Sequence, residues 1–239
     1  MQSDLLDVRN LTGGYGRIPI LFGIDLSVRK GDFVGILGNN GMGKTTLLRT
    51  LMGHLPATGG EIRFAGEEIT RSAAERRARR GIGYVPQGRQ IFPALSVLDN
   101  LRVASVRLPP RAAKAKIEEI VEDLPRLKPI LGRVGGVLSG GEQQILALGR
   151  CLCASPRLML LDEPTEGIQP SICDEIQEVL RRFSKRDGLS IVLVEQDLDF
   201  ISSLASRVLI IRKGRLIEEL DPADLHDPAV ADAFVGLGT

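Results

Sequence analysis

Apolar positions along this chain follow two periods, and their succession sets the expected order of elements. Asp4–Val8 and Ile24–Val28 alternate apolar and polar residues, as half-buried strands do. Phe33–Leu37 is a short apolar run that enters a glycine-rich loop. Behind the loop, Thr45–Met52 has helical apolar spacing and stops at Gly53. Glu61–Ala65 and Ile82–Val85 read as strands, the second ended by Pro86. From Arg89 to Leu131 glycine is absent and the pattern is helical, with Ala112–Val121 made mostly of strong helix formers. A second clear helix, Glu142–Ala154, follows Gly140-Gly141. Strands Leu158–Leu161, Leu189–Val194 and Val208–Ile211 then alternate with helices Ser171–Phe183 and Leu198–Ala205.

This alternation predicts an α/β domain around a mainly parallel sheet. Residues 1–88 and 155–239 are expected to form its core, and 89–154 a helical subdomain inserted between the two halves. A length of 239 residues suits one such domain. With 31 Lys and Arg against 30 Asp and Glu, the chain is not expected to bind nucleic acid by bulk charge. No apolar run approaches the ~18 residues of a membrane span. Met1–Asn10 carries acids where a signal peptide needs a basic and then an apolar stretch. Cys151, Cys153 and Cys173 lack metal-clamp or disulfide-framework spacing and read as small buried hydrophobes in a reducing compartment. Arg71, Arg76, Arg77, Arg79 and Arg80 have no interleaved aromatic residues to stack bases and read as a solvated helix face.

The chemistry is concentrated in three segments. Gly38-Asn39-Asn40-Gly41-Met42-Gly43-Lys44-Thr45, followed by Thr46, matches the phosphate loop G-x-x-x-x-G-K-[ST], with a strand before it and a helix after. Glycines let backbone N–H groups curl around phosphate oxygens, and the helix N-terminus adds a favourable dipole. Lys44 is placed to reach the β- and γ-phosphates, and the Thr45 hydroxyl to ligate Mg²⁺. Leu158–Leu161 ends in Asp162 and Glu163, which puts two carboxylates at the carboxyl edge of the sheet. One acid can serve a Mg²⁺ shell, and its neighbour can polarise water for attack on the γ-phosphate. Ser139, Gly140 and Gly141 open a helix with Glu142 and form a second anion cradle. Nine of the 27 glycines fall between Gly35 and Gly43 or between Gly132 and Gly141, so the glycine excess sits at the two cradles.

LSGGEQQ, preceded by GNNGMGKTT and followed by LMLLDEPTEG, resembles the nucleotide-binding subunits of ABC transporters over essentially the whole chain. The resemblance implies a P-loop NTPase fold: a RecA-like parallel core sheet, an N-terminal antiparallel β region and an inserted helical subdomain. It implies ATP and Mg²⁺ as ligands, and two subunits paired head to tail, each Ser-Gly-Gly cradle closing on the partner's nucleotide. It also implies integral-membrane permease subunits, indirectly a solute-binding protein, and a peripheral place on the cytoplasmic face of the membrane. Tyr15 resembles the residue that stacks on adenine. Gln87 resembles the glutamine that touches Mg²⁺ and the attacking water, and Arg89–Val97 the surface that receives a permease coupling helix. Asp162 corresponds to the Mg²⁺-side aspartate and Glu163 to the general base.

Two positions depart from the family pattern. Gln196 stands where a histidine usually contacts the γ-phosphate, and it cannot titrate near neutral pH. Glu166-Gly167-Ile168-Gln169 replaces a loop that usually ends in aspartate, which bears on coupling between the two ATP sites. LVEQ, VPQGRQIFP and DEPTEGIQPS together resemble importers of branched-chain and other hydrophobic amino acids, or of urea and short amides. Ala223–Thr239 is expected to hold no further regulatory domain. The alternative is a DNA-repair or chromosome ATPase of the same fold, although heptads and zinc-module cysteine pairs are missing from this sequence. Copurifying membrane subunits or nucleic acid would separate the two.

Overall fold

The structure is a computed structural model that describes residues 4–226. In chain order the strands are β1 (Leu6–Tyr15), β2 (Ile18–Val28), β3 (Phe33–Leu37), β4 (Ala57–Phe64), β5 (Glu67–Glu68), β6 (Ile82–Val85), β7 (Leu158–Asp162), β8 (Ser190–Glu195), β9 (Arg207–Arg212) and β10 (Arg215–Leu220). The helices are α1 (Lys44–Met52), α2 (Ala74–Arg79), α3 (Val97–Ala104), α4 (Pro110–Asp123), α5 (Gly140–Cys153), α6 (Pro170–Asp187) and α7 (Leu198–Leu204). The end of the chain beyond His226, which includes most of Ala223–Thr239, lies outside the described residues.

Two sheets face each other. Strands β2-β1-β4-β5 form an antiparallel sheet. The second sheet runs β10-β9-β3-β8-β7-β6 and is parallel except for β10, which pairs antiparallel with β9. Its central strands are buried on both faces, and their period-2 alternation divides the core. Val34, Ile36, Leu158, Leu160, Val192 and Val194 point with α1 toward the antiparallel sheet. Leu37, Met159, Leu161, Ile191 and Leu193 point toward a cluster shared with α3 through α7. That two-sided burial explains why these strands read as unbroken apolar runs.

The N-terminal strands are longer than their alternation suggests. Residues 4–8 and 24–28 extend into a hairpin from Leu6 to Val28, whose pairing slips between Val8 and Leu11 and again at Gly13/Gly14. Each bulge inserts an extra residue and resets the face, so the period-2 signal fades although the strand continues. Between residues 89 and 154 the chain forms α3, α4 and α5 with 3₁₀ turns at Pro125–Ile130 and Gly135–Val137. The first residues of that stretch are a loop rather than a helix. Arg89 and Gln90 have φ of 69° and 46°, outside the helical region, and α3 starts only at Val97, where the Ser96 hydroxyl accepts from the Asp99 N–H.

The arginine run is largely solvated, with one exception. Arg77, on α2, is fully buried, and its guanidinium donates to the carbonyls of Thr50, Leu51, Thr70 and Ser72. Two of those acceptors lie in the last turn of α1, so Arg77 closes the C-terminus of the phosphate-loop helix.

Candidate functional site

The phosphate-loop sequence spans the turn from β3 to α1 at the carboxyl edge of the parallel sheet. Gly41 and Gly43 take φ of 77° and 104°, a region that strains residues with a Cβ. Gly43 is the N-cap of α1, and no side chain caps that end, so its first N–H groups face the loop. Asn39 is half-buried and Asn40 and Gly41 are exposed, while Gly38, Lys44 and Thr46 are buried. The Met42 thioether accepts from the Lys213 N–H, which ties the loop to the β9–β10 turn.

Lys44 curls back over this loop. Its Nζ donates to the carbonyls of Gly38 at 2.6 Å and Asn39 at 3.1 Å, and pairs with Glu163 Oε1 at 2.8 Å. Both side chains of the pair are at most 5% exposed, so water screens their attraction little. Glu163 follows β7 with φ of 44°, a left-handed conformation unusual for a non-glycine residue, and its N–H bonds the Val194 carbonyl. Its second oxygen, Oε2, accepts from Gln196 Nε2 at 3.1 Å and from Gln87 Nε2 at 3.3 Å. Gln87 also donates to Glu166 Oε2 at 2.9 Å.

Asp162, the last residue of β7, is buried beside Glu163. Its Oδ1 accepts from the Thr45 hydroxyl at 3.0 Å, and its Oδ2 from the Tyr84 hydroxyl at 2.9 Å. Burial pushes its carboxyl above the usual range, and the Tyr84 and Thr45 bonds pull the other way. Tyr84 comes from β6, where it stands opposite Leu160, and its ring packs against His54. Burial and the neighbouring Asp162 push the Tyr84 phenol up, so it stays a donor. Tyr15 sits at the end of the β1–β2 hairpin, 42% exposed, with the Arg49 guanidinium of α1 6.0 Å from its ring centroid.

The fold thus gathers Lys44, Thr45, Gln87, Asp162, Glu163 and Gln196 into one cluster. Ser139, Gly140, Gly141 and Glu142 stand elsewhere, at the start of α5. The Glu142 N–H bonds Ser139 Oγ at 3.3 Å, the Ser139 N–H bonds Glu142 Oε2 at 2.7 Å, and Arg133 pairs with Glu142 at 3.1 Å. This capping box holds the Glu142 carboxyl below its ordinary range, chiefly through the Ser139 N–H. Glu142 is therefore turned toward its own helix end. A Cβ on Gly141 would lie 2.0 Å from Ile172 Cδ1, and one on Gly140 2.9 Å from the Arg89 guanidinium. Among the described residues no hydrogen bond or ion pair joins this segment to the Lys44–Glu163 cluster.

Sequence reasoning did not single out Tyr84, Glu166 as the partner of Gln87, Glu195 or the buried Arg77. Each has at least one partner far away in the chain, Asp162 for Tyr84, Gln87 for Glu166, Thr165 for Glu195 and Thr50 for Arg77, and none belongs to a spaced motif. A cavity of about 660 Å³ opens beside the cluster, with Thr45, Tyr84, Gln87, Asp162, Arg107 and Arg150 among its lining residues. Among the described residues no helix is long and apolar enough to cross a membrane.

Comparison with known proteins agrees with this geometry. The family model described as "ABC transporter" matches residues 21–166. The chain is 38% identical to the high-affinity branched-chain amino acid transport ATP-binding protein BraG of Pseudomonas aeruginosa, covering 93% of this chain and 95% of that one. It is 31% identical to the lipopolysaccharide export system ATP-binding protein LptB of Haemophilus influenzae, covering 97% of each. Among solved structures, cbiO1 from Clostridium perfringens, part of the ABC transporter complex cbiONQ, superposes with a TM-score of 0.84 at 26% identity, covering 98% of this chain and 95% of that one. An ATP-binding cassette of an ABC transporter in its ADP conformation gives 0.85 at 26% identity, covering 98% and 99%. With the phosphate loop, the paired acids and the second glycine cradle all in place, the chain belongs to the ABC transporter family, as one of its ATP-binding cassettes.

Proposed function

We propose that this cassette hydrolyses ATP to drive import of a branched-chain or other hydrophobic amino acid, or of urea or a short amide, through a partner permease. The observation that carries the ATPase chemistry is the convergence on Glu163 of Lys44, Gln87 and Gln196, beside Asp162 and Thr45. Lys44, already oriented by two loop carbonyls, supplies the charge for the β- and γ-phosphates. The N–H groups from Gly38 to Thr46 cradle the same phosphates. Glu163 takes the proton of the attacking water, and Gln87 and Gln196 aim its Oε2. Tyr15 offers an exposed ring for adenine.

The residues present suit Mg²⁺. Thr45 Oγ1 and Asp162 Oδ1 lie 3.0 Å apart at the loop, with Gln87 nearby. No group of three or more His, Cys, Asp or Glu among the described residues forms a closed cage. A single carboxylate and a hydroxyl are what a cation that keeps waters and phosphate oxygens requires of the protein. When bound, Mg²⁺ neutralises charge on the transferred phosphoryl group.

Residues 89–154 act as the helical subdomain against a core made by the remainder, and the cavity between Gln87 and Arg150 meets the permease. The Ser139–Gly141 cradle stands apart from the chain's own phosphate loop, which supports a working unit of two cassettes, each closing the other's site. The assembly then sits on the cytoplasmic face of the membrane. The greater identity to the branched-chain amino acid protein than to the lipopolysaccharide export protein supports import. Purifying the chain with its permease subunits tests this. ATP hydrolysis stimulated by a branched-chain amino acid, urea or a short amide supports the proposal, and stimulation by nucleic acid alone overturns it.

A further inference from the structure

Glu195, the last residue of β8, is 3% exposed, and among the described residues no Lys, Arg or His forms an ion pair with it. A buried carboxylate without a cation is costly unless its oxygens are fully hydrogen-bonded. Here four donors converge on it. Thr165 Oγ1 at 2.5 Å and Thr165 N at 3.2 Å reach Oε1, while Gln196 N at 2.9 Å and Asp197 N at 3.4 Å reach Oε2. Burial still raises its carboxyl, and these bonds oppose the shift.

The donors come from two different loops. Thr165 lies just beyond Glu163, on the way from β7 to α6, whereas Gln196 and Asp197 lead from β8 into α7. The two strands stay in register as far as Asp162 opposite Val194, and the Glu163 N–H to Val194 carbonyl bond is the last backbone tie. Past that point the loops are joined by side chains. Because three of the four donors are backbone N–H groups and the fourth is a hydroxyl, the acceptor-only carboxylate satisfies them all. Asp197 then accepts from the Phe200 N–H and fixes the start of α7.

We propose that Glu195 is a positioning residue, stapling the Thr165 loop to the Gln196 loop so that Gln196 Nε2 stays 3.1 Å from Glu163 Oε2. The inference rests on Glu163 being the general base. It is tested on the full chain with Glu195→Ala, Glu195→Gln, Thr165→Val, Gln196→Ala and the Glu195→Ala/Gln196→Ala pair. The readouts are kcat, KM for ATP, nucleotide affinity and Tm. Because the staple acts through Gln196, Glu195→Ala is expected to lose up to about tenfold in kcat, no more than removal of Gln196 itself, with nucleotide affinity retained. Thr165→Val reaches the same staple from the opposite loop and predicts a smaller loss of the same kind. Glu195→Gln can keep its oxygen on Gln196 and Asp197, but its amide then faces the Thr165 N–H, so the staple is only half kept and turnover is expected between that of wild type and that of Glu195→Ala. The double variant is expected to be no slower than the slower single one.

Unchanged kcat with a lowered Tm in Glu195→Ala, or additive losses in the pair, overturns the staple. ATP turnover by the wild type that the Glu195 and Thr165 variants leave unchanged defeats this inference alone. Wild-type protein with no ATP turnover defeats it together with the base assignment.

Discussion

Gln196→Ala isolates the most unusual contact in the site. Gln196 and Gln87 share one oxygen of Glu163, at 3.1 and 3.3 Å, and Gln87 is also engaged by Glu166 at 2.9 Å. Gln196 is thus the shorter and less divided of the two donors. Glu163 is 6% exposed, so solvent cannot readily replace a lost donor. A hydrogen bond to a charged acceptor contributes about 1.5–3 kcal/mol, and Gln87 remains, so the lower end applies. The part of this energy that enters kcat is the part that keeps Glu163 oriented on the attacking water, and at about 1.4 kcal/mol per decade kcat is expected to fall about tenfold. ATP affinity should hold, because the bond reaches the carboxylate and not the phosphate loop. Phosphate release gives the rate, and titration calorimetry gives the affinity. Gln196→His keeps a donor at this position and is expected to hold or raise turnover. Wild-type turnover in Gln196→Ala would refute the role given to this contact, and a loss of affinity would place Gln196 on the nucleotide. Complete loss in Gln196→His would show that the glutamine itself is required.

Three further outcomes follow from other parts of the fold. Lys44→Ala removes the ammonium that three oxygens orient and should abolish tight ATP binding; retained micromolar affinity in calorimetry would sink the phosphate-loop assignment. Arg77→Ala strands four buried or half-buried carbonyls, two of them at the end of α1, and should cost about 3–5 kcal/mol in urea unfolding, with Arg77→Lys unable to restore the fork. A cost under about 1 kcal/mol would show that water satisfies those carbonyls. Burial pushes the Cys151 and Cys153 thiols up to about 12 and about 11, so native protein at pH 8 should give at most one fast-alkylating thiol per chain, Cys173. Two fast thiols counted by mass spectrometry would contradict that packing.

The parts of the site legible in the sequence are those in which one segment carries its own geometry. Gly38–Thr45 needs only a strand before it and a helix after it, and Asp162-Glu163 needs only to end an apolar strand. The helix that follows Gly140-Gly141 is legible from its apolar spacing, and the structure starts it at Gly140 with Ser139 and Glu142 as a capping box. What stayed hidden depends on which strands become neighbours. Tyr84 meets Asp162 because β6 pairs with β7, and Gln87 meets Glu166 across 79 positions of sequence. Strand β10, Arg215–Leu220, left no apolar signature because it lies mostly exposed at the sheet edge. Arg77 looked like its solvated neighbours, and only the position of the α1 terminus shows why one arginine of that run is buried.

The central claim is that Glu163 is the base of an ATPase site built on the Lys44 loop. Glu163→Gln keeps the side-chain shape and leaves Lys44 its two loop carbonyls, so nucleotide binding should survive. Losing the proton acceptor should slow hydrolysis by about a hundredfold to ten-thousandfold. Single-turnover hydrolysis by this variant, measured with ATP affinity in the same preparation, is the most direct test. Retained affinity with almost no phosphate release is the predicted result, and release at the wild-type rate would contradict the account.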